Sequence, residues 1–424
     1  MLLKESISRY MSLNSMAVIL AGGRGARLMD LTSDLAKPGL DFGGKYKVID
    51  FTLSNCVNSG FRRIAVLTQY NSHRLLQHLQ SAWTFLPGKM GEFVHVYPAQ
   101  QNETSDAWYI GTADAVYQNF DNIQAVRPKT VLILAGDHIY KMNYRLFLQD
   151  HLDAKADLTI ACLEVHKSLA HQYGVAQVDA KGQITAFVEK PADPPTVPGK
   201  PDTCLVSMGI YIFESDFLYS QLAIDAVDPK SSHDFGKDII PKALKKNRVF
   251  SHSFKKSTVQ EPNKPEPYWR DVGTVDSYWE ANLDLTYVEP VLNLYDKSWP
   301  IFTFLEQLPP AKFVHSNPGR QGMAIASLVS GGCIISGAHV HQSLVSSNVR
   351  IHSHAFLEEC VVLPEADIGE RAFLRKCIVG RGCRIPSGSI VGQNPDDDAG
   401  RYFRTPSGVT MISQRMLERA QGMQ

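Results

Sequence analysis

The chain lacks any excess of one charge: 43 Lys and Arg stand against 43 Asp and Glu over 424 residues. A general nucleic-acid binder carries a basic excess, so this balance argues against that class. Cysteine is sparse too. The seven residues Cys56, Cys162, Cys204, Cys333, Cys360, Cys377 and Cys383 include no CxxC pair, which excludes a zinc ribbon or a disulfide framework and suits core thiols of a reducing compartment. Long apolar runs are missing. The stretch from Met16 to Ala21 is far too short to span a bilayer, and "MLLKESISRYMSLNS" interrupts its apolar residues with Lys4, Glu5 and Arg9, unlike a secretory leader. The expectation is a cytoplasmic protein that engages neither nucleic acid nor membrane.

What is present is ordinary in amount and informative in order. Hydrophobic residues at 44% and charged residues at 20% suit a globular chain, and its length suits two or three domains. From residue 16 to 290, short apolar runs alternate with helical patterns, the mark of an α/β sheet with crossover helices. In "VIDFTLSNCVNSG" the residues Ile49, Leu53, Cys56 and Val57 keep helical spacing and Gly60 closes the helix. "IAVLTQ" and "TVLILA" read as buried strands. The proline-rich "KPADPPTVPGKP" and "QEPNKPEP" read as surface loops. Residues 291–330, including "SWPIFTFLEQLPPAKFVHSNPGRQGM", read as a linker laid against something. From Gly331 apolar residues recur every six positions: Val345, Ile351, Leu357 and Leu363; then Val362, Ile368 and Leu374; then Val379, Ile385 and Val391. A step of six holds no face of a 3.6-residue helix and fits a β-helix solenoid over 331–424. The division expected is an extension (1–15), an α/β domain (16–290), a linker and the solenoid.

Four motifs carry chemistry. In "AVILAGGRGARLMDLTSDLAKPGL" a strand breaks into Gly22, Gly23, Arg24, Gly25 and Arg27, where glycines let backbone N–H groups converge on an anion and guanidinium groups grip phosphate. It is neither a P-loop nor the dinucleotide GxGxxG fingerprint, and a tight turn with solvated arginines is the plainer alternative. "LAGDH" sets Asp137 just past a buried strand, where ligands of open α/β sheets sit. "YWRDVGT" supplies Asp271. Two such carboxylates suit a Mg²⁺ ion bridging phosphates, although each alone is as readily a cap or turn residue. "FVEKP" ends a strand with Glu189 and Lys190, a carboxylate for sugar hydroxyls beside a cation for phosphate, or else an exposed ion pair.

Together "LAGGRGARL", "AKP", "LSNCVNSGFRRIAVLTQY", "WYIGTADAVYQN", "LAGDHIY", "FVEKPA", "SMGIYIF", "SSHDFGKDIIP" and "YWRDVGTVDSYWEANLDL" resemble the bacterial ADP-glucose pyrophosphorylases (glucose-1-phosphate adenylyltransferases), across nearly the whole chain. The first motif and "VEKP" recur widely among sugar nucleotidyltransferases; "SSHDFGKDIIP" and "YWRDVGT" are narrower. The resemblance implies a Rossmann-like mixed-sheet nucleotidyltransferase domain followed by a left-handed parallel β-helix. It also implies synthesis of ADP-glucose and pyrophosphate from ATP and glucose 1-phosphate for glycogen, and a homotetramer. Gly22, Gly23, Arg24 and Arg27 would then hold the triphosphate, with Lys37 near the reacting phosphates. Asp137, also counted among the catalytic residues, and Asp271 would hold Mg²⁺. Gln69, Tyr109, Gly111 and Thr112 would line the nucleotide pocket, Tyr109 reaching the glucose 1-phosphate as well. Lys190 would take the sugar phosphate, and Gly174, Glu189, Ser207, Asp234 and Trp269 would frame the sugar, with core packing the alternative for Trp269.

Departures fall where such enzymes bind sugar-phosphate activators or AMP. Lys47, Arg381, Arg415 and Arg419 are the candidate basic contacts. Asp34 stands at an activator lysine position, Asp41 at a histidine position, and Gln414 and Glu418 at two arginine positions. Carboxylates repel phosphates at close range, so altered control by fructose 1,6-bisphosphate is expected. Two other readings remain at this point. The repeats also suit an acyltransferase or a zinc-dependent carbonic anhydrase, and His339, His341, His352 and His354 could suggest the metal, with turn-flanking surface histidines the plainer explanation. A non-catalytic regulatory subunit is the other, although Lys37, Asp137, Lys190 and Asp271 are all present.

Overall fold

The computed structural model describes residues 2–100, 108–260, 267–420 and 422. A nine-stranded mixed sheet organises the first domain: β1 (Ser15–Ala21), β2 (Arg63–Thr68), β3 (Phe93–Pro98), β4 (Thr130–Ala135), β5 (Leu158–His166), β6 (Gly174–Val178), β7 (Ile184–Glu189), β8 (Thr203–Glu214) and β9 (Val249–Ser253). The four strands β4, β1, β2 and β3 run parallel in that order. The long β8 turns the sheet antiparallel, pairing with β5 along one edge and with β6 and then β4 along the other. Alternate residues of β1 enter opposite cores, Ala17 and Ile19 on one face and Met16 and Val18 on the other, so both faces are covered, as apolar runs in parallel strands require. The helix expected around Ile49 spans Val48–Ser59 and ends on Gly60 at φ 107°.

The extension is not a separate piece. Its helix Leu2–Asn14 inserts Ile7 and Met11 into the core beside Phe61 and Tyr144. Residues 190–201 form the expected irregular loop, whereas "QEPNKPEP" falls almost wholly outside the described residues. The segment before the solenoid lies on the first domain: Trp299 Nε1 donates to Asn55 Oδ1 (2.9 Å) and the Phe302 amide to Ser54 Oγ (2.8 Å).

Three parallel sheets form the solenoid, and it begins one coil earlier than expected. Lys312–Val314 already pairs with Ile334–Ser336, Met323–Ile325 with His339–His341, and Leu328–Val329 with Leu344–Val345. That first coil escaped the six-residue pattern because its outward turn "HSNPGRQG" forms a short hairpin of its own. Ile335, Ile351, Ile368 and Ile385 stack in register as one interior column, fully buried or nearly so. Leu363 is not the fourth member of its series. Val362 points inward and Leu363 packs against the first domain, because a strand exposes alternate faces. All seven cysteines are buried and free. His352 bonds Asp367 (2.7 Å), and His341 Nδ1 lies 3.7 Å from Glu358.

The helix Val275–Leu283 joins the two domains. Asp276 accepts from Thr405 (2.7 Å) and Ser407 (2.6 Å), and Trp279 Nε1 donates to the Glu359 carbonyl (2.9 Å). No helix among the described residues is long and apolar enough to cross a membrane.

Candidate active site

Register levels the carboxyl ends of the parallel strands. Leu20 pairs with Ala135 and Ala21 with Thr68, which sets Gly22, Gln69 and the Gly136–Asp137 turn around one crevice, the usual ligand position in an open α/β sheet. A cavity of about 470 Å³ opens there. Gly22, Gly23, Gln69, Tyr109, Gly111 and Thr112 line it together with Asp137, Glu189, Asp234, Phe235 and Gly236.

Lys37 organises the charges. It is 4% exposed, and its Nζ donates to Asp137 Oδ2 at 3.0 Å and to Asp271 Oδ1 at 2.5 Å. Asp271 arrives on the strand Trp269–Asp271, which pairs antiparallel with His138–Tyr140 so that Asp271 faces His138. Burial alone would raise the Asp137 carboxyl; the Lys37 ammonium, and then His138, overcome it and hold the pKa at about 2. For Lys37, burial works downward, and the two carboxylates outweigh it and raise the amine above its ordinary value. Asp137, His138 and Asp271 each offer a ligand atom within 4.8 Å of the others, the one group among the described residues with this property. The two carboxylates already converge on a cation, the Lys37 ammonium, so the donor set fits a hard divalent ion. His138 Nδ1 is buried without a hydrogen-bond partner.

Where Glu189 lines the cavity, a glycine makes room for its carboxylate. Gly174 pairs with Glu189 across β6 and β7, and a Cβ at Gly174 would fall 2.7 Å from Glu189 Oε2; one at Gly236 would fall 2.6 Å from the same atom. Burial raises the Glu189 carboxyl above its ordinary value, with Lys190 opposing. Asp234 caps the turn that follows, accepting from the Gly236 and Lys237 amides (2.9 and 3.1 Å), and takes Thr112 Oγ1 at 2.9 Å.

Other expected residues stand back from the cavity wall. Arg24 is exposed over the Tyr70 ring at 5.4 Å. Arg27 lies 3.9 Å from Asp271. Lys190 is exposed, with φ 48° and its Nζ 3.7 Å from Glu189. Ser207 Oγ accepts from the Gly209 amide (3.2 Å). Trp269 is 8% exposed, its ring edge-on to His138 (4.9 Å) and Tyr173 (5.5 Å) within the core. Sequence reasoning missed His138, Gly209 and Tyr211. Gly209 and Tyr211 reach the cavity because the β8–β5 register shifts between Ser207 and Tyr211, with Gly209 at φ 69°; the glycine inside the apolar run "SMGIYIF" was the available signal.

Where effectors were expected, a second cavity of about 320 Å³ lies between the domains, lined by Asp34, Asp41, Arg74, Arg381, Gln414 and Arg415 among others. Asp34 pairs with Arg74 (3.1 Å), and Asp41 holds Lys47 (2.5 Å) and Arg381 (2.8 Å). Arg419 is exposed and does not line this cavity.

Residues 16–287 match the Nucleotidyl transferase family, and residues 309–412 match the GlmU-like, C-terminal hexapeptide family. The chain is 54% identical to the glucose-1-phosphate adenylyltransferase of Paramagnetospirillum magneticum over 95% of its own length and 94% of that protein's. It is 53% identical to that of Granulibacter bethesdensis (96% and 97%) and 51% identical to that of Paraburkholderia phytofirmans (95% and 96%). With the β-sheet crevice, the Lys37–Asp137–Asp271 triangle and the solenoid all in one chain, this protein belongs to the glucose-1-phosphate adenylyltransferase family of nucleotidyl transferases.

Proposed function

We propose that the 470 Å³ cavity binds ATP on its Gly22–Gln69–Gly111 side and glucose 1-phosphate on its Glu189–Asp234 side, and that the chain joins them into ADP-glucose. The observation that carries this reading is Lys37, buried behind the cavity wall and held by two carboxylates from separate strand ends, one of which, Asp137, lines the cavity. An oxygen of the sugar phosphate attacks the α-phosphorus of ATP, forming one P–O bond as the bond to the leaving pyrophosphate breaks. No covalent nucleophile is required, and the work is alignment and charge stabilisation. The Gly22–Gly23 backbone presents N–H groups to the phosphate chain, and Lys37 places a fixed ammonium where negative charge concentrates. Arg24 and Arg27, both exposed, reach in from the rim, and Lys190 faces the sugar phosphate from the opposite lip. Glu189 and Asp234 accept from sugar hydroxyls, and the Trp269 ring backs the His138–Asp271 strand pair rather than contacting the sugar from the wall. Asp137 and Asp271 would hold Mg²⁺, which supplies neutralisation of phosphate charge when bound.

The same reading makes the 320 Å³ cavity a weakened effector site, because Asp34 and Asp41 occupy two of its cationic positions and neutralise Arg74, Lys47 and Arg381 internally. Arg74, Arg381 and Arg415 are its basic side chains; Lys47 reaches it only through Asp41, and Arg419 stays outside. Assembly as a cytoplasmic homotetramer belongs to this proposal.

The experiment is pyrophosphate release from the purified chain with Mg²⁺, glucose 1-phosphate and each nucleoside triphosphate in turn. ATP-selective release that stops on chelation supports the proposal. No release with any nucleotide overturns it in favour of a regulatory subunit.

A further inference from the structure

We infer that Asp225 and His233, neither of which touches the cavity, form a positioning couple that sets the gap between its nucleotide and sugar sides. The inference rests on the substrate assignment above.

Asp225 is 3% exposed near the end of the helix Ser215–Ala226. Its Oδ2 accepts from His233 Nδ1 at 2.8 Å, and its Oδ1 accepts from Ser231 Oγ at 2.7 Å and Lys242 Nζ at 3.2 Å. Ser231 Oγ in turn accepts from the His233 amide at 3.0 Å. His233 is therefore tied by ring and backbone to one buried carboxylate. That tie holds a residue with φ 54°, a left-handed conformation that a non-glycine residue adopts at a cost and keeps when its surroundings over-determine it.

The conformation aims a carbonyl. His233 O accepts from the Ala113 amide at 2.8 Å and the Asp114 amide at 3.3 Å, two of the orphan donors at the start of the helix Thr112–Gln118. It also lies so near Gly111 that a Cβ there would come within 2.2 Å of it. The next residue, Asp234, takes Thr112 Oγ1, and Thr112 Oγ1 accepts from the Phe235 amide at 3.0 Å. Gly111 and Thr112 belong to the nucleotide wall, Asp234 to Gly236 to the sugar wall. One four-residue turn thus clips the two walls together, and Asp225 fixes the turn from behind. A shift of this carbonyl would displace both walls at once and weaken binding that ground state and transition state share, which raises KM and leaves kcat in place.

The test compares Asp225→Asn, His233→Asn and the double variant in the full chain. Asparagine preserves the size of Asp225 and tolerates the left-handed conformation at position 233. Steady-state kinetics with ATP and glucose 1-phosphate should show KM raised about five- to tenfold for both substrates in each single variant, with kcat within about twofold; the double variant should be no worse than either, because the two residues act as one unit. Unchanged KM values with only a lowered Tm, or effects that multiply in the double variant, would overturn the inference. Hydrogen exchange of the 108–118 peptide reads the couple without turnover. Loss of protection at the Ala113 and Asp114 amides in each variant is expected, and unaltered protection overturns it. A parent chain that makes no ADP-glucose would sink the substrate assignment, and the exchange result would still decide the couple.

Discussion

Arg381 of the solenoid lays its guanidinium against both oxygens of Asp41, Nη2 to Oδ1 at 2.8 Å and to Oδ2 at 2.9 Å, while Lys47 approaches the same carboxylate from its own domain at 2.5 Å. Asp41 lies four residues beyond Lys37, whose ammonium is held by Asp271 and by Asp137 of the 470 Å³ cavity's lining. A segment five residues long therefore has the Lys37–Asp137–Asp271 triangle at one end and the domain interface at the other.

Arg381→Ala should lower unfolding stability by about 3 kcal/mol, because a largely buried carboxylate loses one of its two cations. Burial raises the Asp41 carboxyl, but Lys47 and Arg381 together bring it below the ordinary value. A depressed carboxylate stabilises the fold above its unfolded pKa of about 4 and loses that contribution as acid protonates it. The gap between parent and variant in urea unfolding should be full at neutral pH and close progressively below pH of about 4; a gap independent of pH would refute the ion-pair account.

Lys37→Ala should reduce kcat by about 10²- to 10³-fold, the scale of removing one preorganised charge donor. The same change takes away the cation that holds Asp137 at about 2, so burial should then move that carboxyl upward. Titration of a carboxyl-carbon NMR signal for Asp137 reads this directly. A midpoint that stays near 2 would mean that Lys37 is not its main partner.

Gly111→Ala should lower kcat/KM for ATP by about tenfold or more, because the added methyl meets backbone oxygens of Ser232 and His233, at 2.5 and 2.2 Å, which cannot swing aside as a side-chain end can. Gly111 itself is extended, with φ −152°, so the expected loss comes from crowding alone, and Gly111→Ser should behave alike.

Fructose 1,6-bisphosphate should change the rate by less than about twofold, since Asp34 and Asp41 present carboxylates where its phosphates would land. Rates measured at saturating substrate across a bisphosphate titration check this. Activation of several-fold would show that Arg381 and Arg415 suffice without the displaced cations.

Ile351→Ala should cost about 3 kcal/mol, the usual loss for emptying a packed aliphatic site. Ile351 is fully buried between Ile335 and Ile368 in its column, and stacked coils have little freedom to collapse into the gap. Thermal or urea unfolding followed by circular dichroism gives the measurement.

The strands and the solenoid were legible because each has a period: "TVLILA" became β4 residue for residue, and the buried columns at Ile351, Ile368 and Ile385 are the ones the six-residue step picks out. Leu363 misled because five residues, rather than six, separate Leu357 from the next inward position, Val362. Position 312 was hidden because the first coil spends its length on a hairpin. At the candidate site, Gly22 and Asp137 were legible as residues that follow strands, since the register that levels strand ends is itself a consequence of parallel pairing; Gln69 and Gly111 were legible only through the family resemblance, Gly111 standing at the start of a helix. His138 and Tyr211 were not. Their approach depends on a three-residue strand partnership and a bulge, which are settled by tertiary pairing and leave only a lone glycine in the sequence.

The grip of the solenoid on the helix Val275–Leu283 has a consequence for biogenesis. A chain made from its N-terminus can assemble β1 to β4 and present Lys37 and Asp137 early. Asp271 comes later. The helix immediately behind it finds its first anchors in the first domain, Tyr278 on the Asp41 carbonyl and Asn282 under the Gly43 amide, and its second set when Glu359, Thr405 and Ser407 have been synthesised. The Lys37–Asp137–Asp271 triangle can therefore close on first-domain contacts alone, and the last coils leaving the ribosome lock from behind a helix that is already seated.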